Sequence, residues 1–226
     1  MIEKMKIKGA IFDMDGTLVD SLMFWEGFWR AFGKKYKGCD DYVPPKYIDS
    51  RVRAMMFADA TAWICEELKP DATPQELYEF GNQNLDEHYR NVVTVKAGVF
   101  EFLEHLKSRG IKCCVATATE MEFASRALEY HGITKYLDAA ISCTDIGVGK
   151  DKPDIYLKAG DILGFSEDEL CVFEDSYVAL ETAKNAGFKT VGIFDKYNYC
   201  QDRLEAASNF YLGEGHSFTE LIEKID

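Results

Sequence analysis

Asp13 and Asp15 stand two residues apart at the end of the apolar run Ile11-Phe12, and Gly16-Thr17 follows at once. In an extended segment residues i and i+2 share a face, so both carboxylates can address one small volume while Met14 turns away into packing. Such a pair offers an oxygen nucleophile, a proton-transfer group and part of a Mg²⁺ site, which is equipment for phosphoryl transfer. Asp-x-Asp-Gly also occurs in plain turns and in calcium loops. A loop of the EF-hand kind needs glycine at its sixth position and a bidentate acid at its twelfth; counted from Asp13, those positions hold Leu18 and Phe24. The calcium reading fails on these two residues, and a plain turn suffices only if nothing elsewhere completes the site.

Three later segments carry polar groups that can complete it. Ala116-Thr117-Ala118-Thr119 follows an apolar run, and a hydroxyl with backbone N–H groups entering a helix can hold phosphate oxygens. Thr117 is the candidate there, against the plainer reading of a helix N-cap. Gly147-Val148-Gly149-Lys150-Asp151-Lys152-Pro153-Asp154 places two lysines in a glycine-containing loop before a Pro-led helix. One of them should reach the phosphate, because a compact ammonium suits phosphoryl oxygens; the alternative is a solvated loop. Val172-Phe173-Glu174-Asp175-Ser176 again runs from apolar residues into acids. Asp175, with Glu174 beside it, would complete an oxygen shell for Mg²⁺, and buried acids at two strand ends would repel strongly without a cation.

The elements that must position these groups alternate. Strand-like runs fall at Lys8–Phe12, Lys112–Ala116, Ala139–Ser142, Leu170–Phe173, Lys189–Ile193 and Asn209–Leu212. Several are nearly continuous in apolar character, as parallel strands covered on both faces are. Between them lie helical patterns at Val99–Arg109, Phe123–Tyr130 and Tyr177–Ala186, each stopped by a glycine. This predicts an α/β fold, a doubly wound parallel sheet, whose ligands bind beyond the carboxyl ends of the strands. Residues 21–94 break the alternation with helix-like stretches at Leu22–Lys37, Tyr47–Leu68 and Pro74–Tyr89. They read as an inserted all-helical cap domain over the active-site end of a core formed by residues 1–20 and 95–226. The stripe Trp25, Phe28, Trp29, Phe32 and Tyr36 has helical spacing and is assigned to packing inside that cap.

A chain of 226 residues, 47% apolar and 13% aromatic, can bury a sizeable core. Its formal charge of −13 is a poor footprint for a nucleic-acid backbone or an anionic membrane. Seven cysteines with no Cys-x-x-Cys pair read as reduced, structural thiols. Met1–Lys8 alternates charged and apolar residues unlike a signal peptide, no run is long enough to span a bilayer, and a cytoplasmic location is expected.

In content and order the four segments resemble the haloacid dehalogenase-like hydrolase superfamily: Asp-x-Asp-Gly-Thr at 13–17, Thr117, Lys150 and Glu-Asp-Ser at 174–176. The helical insertion is similar to that of the subgroup containing phosphoglycolate phosphatases and β-phosphoglucomutases. The resemblance implies a Mg²⁺-dependent enzyme that hydrolyses a small phosphomonoester through an aspartyl-phosphate. Asp13 would be the nucleophile. Asp15 would protonate the leaving alcohol, then activate water, and offer its backbone carbonyl to the metal. Asp13, Met14, Asp15, Thr117, Ala118 and Lys150 would surround the phosphate, with Thr117 and Lys150 counted as catalytic, and Asp13, Asp15, Glu174 and Asp175 would organise the metal. Relatives commonly read Gly-Lys-Pro-x-Pro-Asp at the third segment; alignment through Pro153-Asp154 selects Lys150, with Lys152 as rival. Asp15 argues against a dehalogenase. A phosphomutase is the alternative, but the histidine after the first motif and the Lys-Asn pair after the second are missing, and Arg51 makes only a partial match to the cap arginine. A metabolite-binding module without catalysis is the third reading. Arg51, Arg53 and Glu120 are candidate substrate contacts or else surface charges, and a monomer or weak homodimer is expected.

Overall fold

In a computed structural model of the protein, which describes residues 4–53 and 55–226, the chain runs β1 (Gly9–Phe12), β2 (Val19–Asp20), α1 (Phe24–Phe32), α2 (Lys46–Val52), α3 (Phe57–Leu68), α4 (Pro74–Asn91) and β3 (Thr94–Val95). It continues through α5 (Val99–Ser108), β4 (Lys112–Thr117), α6 (Met121–Tyr130), β5 (Ala139–Ser142), α7 (Cys143–Ile146), α8 (Asp154–Leu163), β6 (Leu170–Glu174), α9 (Tyr177–Asn185), β7 (Lys189–Ile193), α10 (Gln201–Ala207) and β8 (Phe210–Leu212). Two compact units result: Met1–Asp20 with Thr94–Asp226, and Ser21–Val93.

The first unit is built on a six-stranded sheet in the order β5-β4-β1-β6-β7-β8, with every pairing parallel. The fold is the doubly wound α/β arrangement. Because β1 lies between β4 and β6, the strand order reverses beside it, and open α/β sheets bind ligands at such a reversal. Register fixes what meets there: Phe12, the last residue of β1, is level with Val115 of β4 and Phe173 of β6. β4 runs on only to Thr117 and β6 only to Glu174, so the three strands end within two residues of one another. The rings of Phe12 and Phe173 stack at 4.5 Å, and Phe102 of α5 meets both. This buried aromatic layer anchors the strand ends that carry Asp13 and Glu174.

β2 and β3 form a separate antiparallel pair, Val19 opposite Val95 and Asp20 opposite Thr94. Two-residue strands carry no periodicity, so the sequence gives no sign of them. They stand where the chain leaves the first unit and where it returns.

In the second unit Trp25, Phe28, Trp29 and Phe32 are buried with Ile48, Val52, Ile64 and Leu77, and Tyr36 packs against them. The aromatic stripe is the core of this unit. Two expected helices come out differently. Leu22–Lys37 is α1 followed by a wider π-helical turn, Gly33–Lys37, that closes where Gly38 adopts φ 63° and returns its N–H to Gly33. Tyr47–Leu68 is two helices, because Met56 is extended at ψ 143° and cannot continue a helical turn. Arg53 closes α2 by folding its guanidinium back onto Asp49, at 2.9 and 3.1 Å, and onto the Leu22 carbonyl at 3.0 Å. Arg53 is therefore a buried structural cation of this unit, where the sequence left it as a substrate contact or a surface charge.

Candidate active site

The chain turns sharply after β1. Gly16 takes φ 87°, a conformation that L side chains rarely adopt, and its N–H reaches the Val19 carbonyl at 2.8 Å while Leu18 and Val19 return N–H groups to Met14. Met14 is fully buried in this turn, its carbonyl taken up by those two N–H groups. Asp13 is buried beside it, its N–H held by the Phe173 carbonyl at 2.9 Å.

Asp13, Glu174 and Asp175 converge, each presenting one carboxylate oxygen within 4.8 Å of the others. Each acid is fixed separately. Glu174 Oε2 accepts the backbone N–H groups of Asp175 and Ser176 at 3.0 and 3.1 Å, which turns Oε1 toward Lys150 Nζ at 2.6 Å and the Tyr156 hydroxyl at 3.2 Å. Lys150 also donates to Asp13 Oδ1. Asp175 accepts from the Thr17 hydroxyl at 2.9 Å on one oxygen and from the Asn198 amide on the other. Of the two lysines in this loop it is Lys150 that contacts the acids, and Lys152 is exposed.

Electrostatics follow from burial. Asp13 is pushed up to about 8, first by loss of water and then by Glu174 and Asp15, although Lys150 pulls the other way. Burial likewise raises Asp175 well above the usual carboxylate range, helped by Glu174, Asp13 and Asp195 and opposed by the Thr17 hydroxyl. Burial disfavours the Lys150 ammonium, but Asp13 and Glu174 outweigh it and hold the charge on firmly. Three buried carboxylates thus lie together, and Lys150 is bonded to two of them, Asp13 and Glu174. Hard oxygen donors in that state fit a small divalent ion such as Mg²⁺, which would restore their ionised forms.

Asp15 stands apart from the three. It is half-buried, and its Oδ2 accepts the Thr119 hydroxyl at 2.7 Å. Thr119 is set by its own N–H to Thr117 Oγ1 at 3.0 Å and by Ser142, whose hydroxyl donates to the Thr119 carbonyl at 2.8 Å. Thr117 is buried as the last residue of β4, and Ala118 is exposed just after it. The structure therefore joins Asp13, Lys150 and Glu174 by direct contacts, sets the Asp175 carboxylate within 4.8 Å of the other two acids, and links Asp15 to Thr117 through Thr119.

Sequence reasoning missed Thr17, Thr119, Tyr156 and Asn198. Thr17 lies within the first motif and Thr119 within the second segment, so residue type and place could have flagged both. Tyr156 and Asn198 give no local signal, since their partners, Glu174 and Asp175, lie at the end of β6 and just past it.

A family model for haloacid dehalogenase-like hydrolases matches residues 7–187. The chain is 27% identical over 207 residues to a phosphorylated carbohydrates phosphatase of Thermotoga maritima, covering 89% of this chain and 92% of that one. It is 27% identical to glycerol-1-phosphate phosphohydrolase 1 of Saccharomyces cerevisiae, covering 98% and 91%. Among solved structures, CbbY of Rhodobacter sphaeroides in complex with phosphate superposes with a TM-score of 0.79 at 20% identity, over 95% of this chain and 96% of that one. That last likeness shows a shared fold. The family match runs from β1 through the end of α9 and so spans every segment that supplies the acidic group: this chain belongs to the haloacid dehalogenase-like hydrolases.

Proposed function

We propose that the protein is a Mg²⁺-dependent phosphatase of small phosphomonoesters that works through an aspartyl-phosphate at Asp13. The observation that carries this is the meeting of Asp13, Glu174 and Asp175, with a buried lysine, Lys150, bonded to the first two. Asp13, Glu174 and Asp175, with the Asp15 carbonyl, would hold the ion; when bound, it supplies positive charge that ionises Asp13 and offsets charge on the phosphoryl oxygens.

Asp13 attacks phosphorus in line, forming the O–P bond of the aspartyl-phosphate as the bond to the substrate alcohol breaks. Asp15 gives its proton to the departing alkoxide. It then takes a proton from water, whose oxygen attacks the same phosphorus, releasing phosphate and freeing Asp13. Lys150 and the Thr117 hydroxyl hold the phosphoryl oxygens, with backbone N–H groups at Met14 and Ala118, and this positioning supplies most of the rate. Thr119 aims the Asp15 carboxylate. Residues 21–93 act as a cap that selects the leaving group, and relatives named for phosphorylated carbohydrates and glycerol 1-phosphate support small polyol or sugar phosphates as the substrate class.

Phosphate release from a panel of such esters, with and without Mg²⁺, tests this. Wild type should release phosphate only with the ion, and Asp13→Asn should not. Turnover retained by Asp13→Asn would refute the nucleophile, and isomerised sugar phosphate without net phosphate release would establish a mutase.

A further inference from the structure

The loop after β7 reaches the acidic group from a strand that contributes no acid to it. Asn198 donates its amide N–H to Asp175 Oδ2, and with the Thr17 hydroxyl on Oδ1 both oxygens of that carboxylate are held. Asp195 shapes the loop. Its carboxylate accepts the Tyr197 N–H at 2.9 Å, its carbonyl accepts the Asn198 N–H at 3.1 Å, and Gln201 ties its carbonyl to that of Asn198 at 3.0 and 3.2 Å. Asp195 is itself buried, and its second oxygen receives Lys96 Nζ at 3.1 Å. Lys96 also bonds Asp20 Oδ1 at 2.7 Å and the Phe194 carbonyl at 3.3 Å. Its side chain is 13% exposed.

A continuous line of polar contacts therefore runs Asp175, Asn198, Asp195, Lys96, Asp20. At its far end, Asp20 is the last residue before the chain enters the second unit, and Lys96 lies two residues past Thr94, where the chain returns. Lys96 thus pins both crossings to one loop. A lysine is otherwise poorly suited to this depth, and two carboxylates with a carbonyl are what hold it there.

We propose that Asn198 and Lys96 are positioning residues for the divalent ion: Asn198 fixes the rotamer of Asp175, and the Lys96–Asp195 pair clamps the loop that carries Asn198. The inference rests on the reading of Asp13, Glu174 and Asp175 as a Mg²⁺ site. Partners that orient a ligating carboxylate commonly change metal affinity by ~10–100-fold when removed. Neither residue reaches the phosphoryl group in this account, so the signature is weakened ion binding with turnover that recovers as Mg²⁺ is raised.

The test follows the Mg²⁺-dependent rise in Tm, which reads binding without substrate, alongside kcat as a function of Mg²⁺. The proteins are wild type, Asp175→Ala, Asn198→Ala, Lys96→Met, Lys96→Arg and the Asn198→Ala/Lys96→Met double variant. Asn198→Ala should bind Mg²⁺ at least ~10-fold more weakly. Lys96→Met should weaken binding in the same direction, Lys96→Arg should restore it, and the double variant should be no weaker than Asn198→Ala alone, because the two act through one contact line. Asn198→Ala binding Mg²⁺ like wild type, or losses that simply add in the double variant, would overturn the proposal while leaving the metal site in place. A wild type with no Mg²⁺ response, matching Asp175→Ala, would instead overturn the reading on which it rests.

Discussion

Stripping the protein of divalent metal should make its stability fall as pH rises. Asp13 goes from an ordinary 3.8 to about 8, chiefly because it is buried. Below the lower value both folded and unfolded chains hold its proton, and Asp13 contributes nothing. Between the two values the unfolded chain has released the proton while the folded protein keeps it. The unfolded state then binds fewer protons, so stability drops with each step upward in pH. At ~1.4 kcal/mol per pH unit, an interval of about 4 bounds the loss from Asp13 at roughly 6 kcal/mol. Asp175, raised first by the same burial, acts in the same direction. Lys150 is held above its ordinary 10.5, so its stabilising contribution is fully present in this window and disappears only at more alkaline pH. Urea unfolding in chelator from about pH 5 to about pH 8 should show at least ~2 kcal/mol of decline. Asp13→Asn, neutral at every pH, should flatten the curve and be more stable than wild type at the alkaline end. Mg²⁺ should raise wild-type stability more at about pH 8 than at about pH 5, because it binds the deprotonated acids of the folded state. A metal-free wild type whose stability is level or rising over this range, with Asp13→Asn no different, would refute the argument.

Lys150→Met should cut phosphate release by at least ~10²-fold, the scale seen on removing one preorganised donor to a developing anion, yet fold at neutral pH, since Asp13 then keeps its proton. Lys152→Met, a change on an exposed residue, should stay near wild type in the same assay. Thr119→Val removes the hydroxyl bonded to Asp15 and should lower kcat by ~10-fold, about the worth of one hydrogen bond, with KM nearly unchanged; Thr119→Ser should recover the rate. Gly33→Ala would place its Cβ 2.1 Å from Tyr42 Cβ and 2.6 Å from the Cys39 carbonyl oxygen, and this overpacking should cost the second unit ~1–3 kcal/mol in urea unfolding.

What could be read in the sequence has a common physical form. A strand buried on both faces must be apolar, so the abrupt change at Phe12-Asp13, at Ala116-Thr117 and at Phe173-Glu174 marks where each of three strands emerges. Once a parallel sheet is inferred, those ends lie on one edge. Local patterning thus places Asp13, Glu174 and Asp175 on the same edge, and the pairing of β1 with β6 makes them neighbours there. Lys150 is different. It sits in a loop with a second lysine two residues on; composition and spacing leave the two as rivals, alignment through Pro153-Asp154 favours Lys150, and the contacts to Asp13 and Glu174 belong to Lys150.

The contacts that stayed hidden depend on strand order, which composition and periodicity do not encode. Thr17 reaches an acid 158 residues away, and Lys96 reaches one 99 residues away. Asn198 can touch Asp175 only because β7 is the neighbour of β6 on the side away from β1, which throws the loop after β7 over the end of β6. Had the chain wound β7 against β5 instead, the same apolar runs, glycine stops and acidic strand ends would read identically, and Asp175 would lack one of its two holders. Local patterning therefore assigns the groups that could do chemistry, whereas topology assigns the groups that aim them. Any variant that reorders the edge beyond β6 should disturb the aim of Asp175 while every motif stays intact.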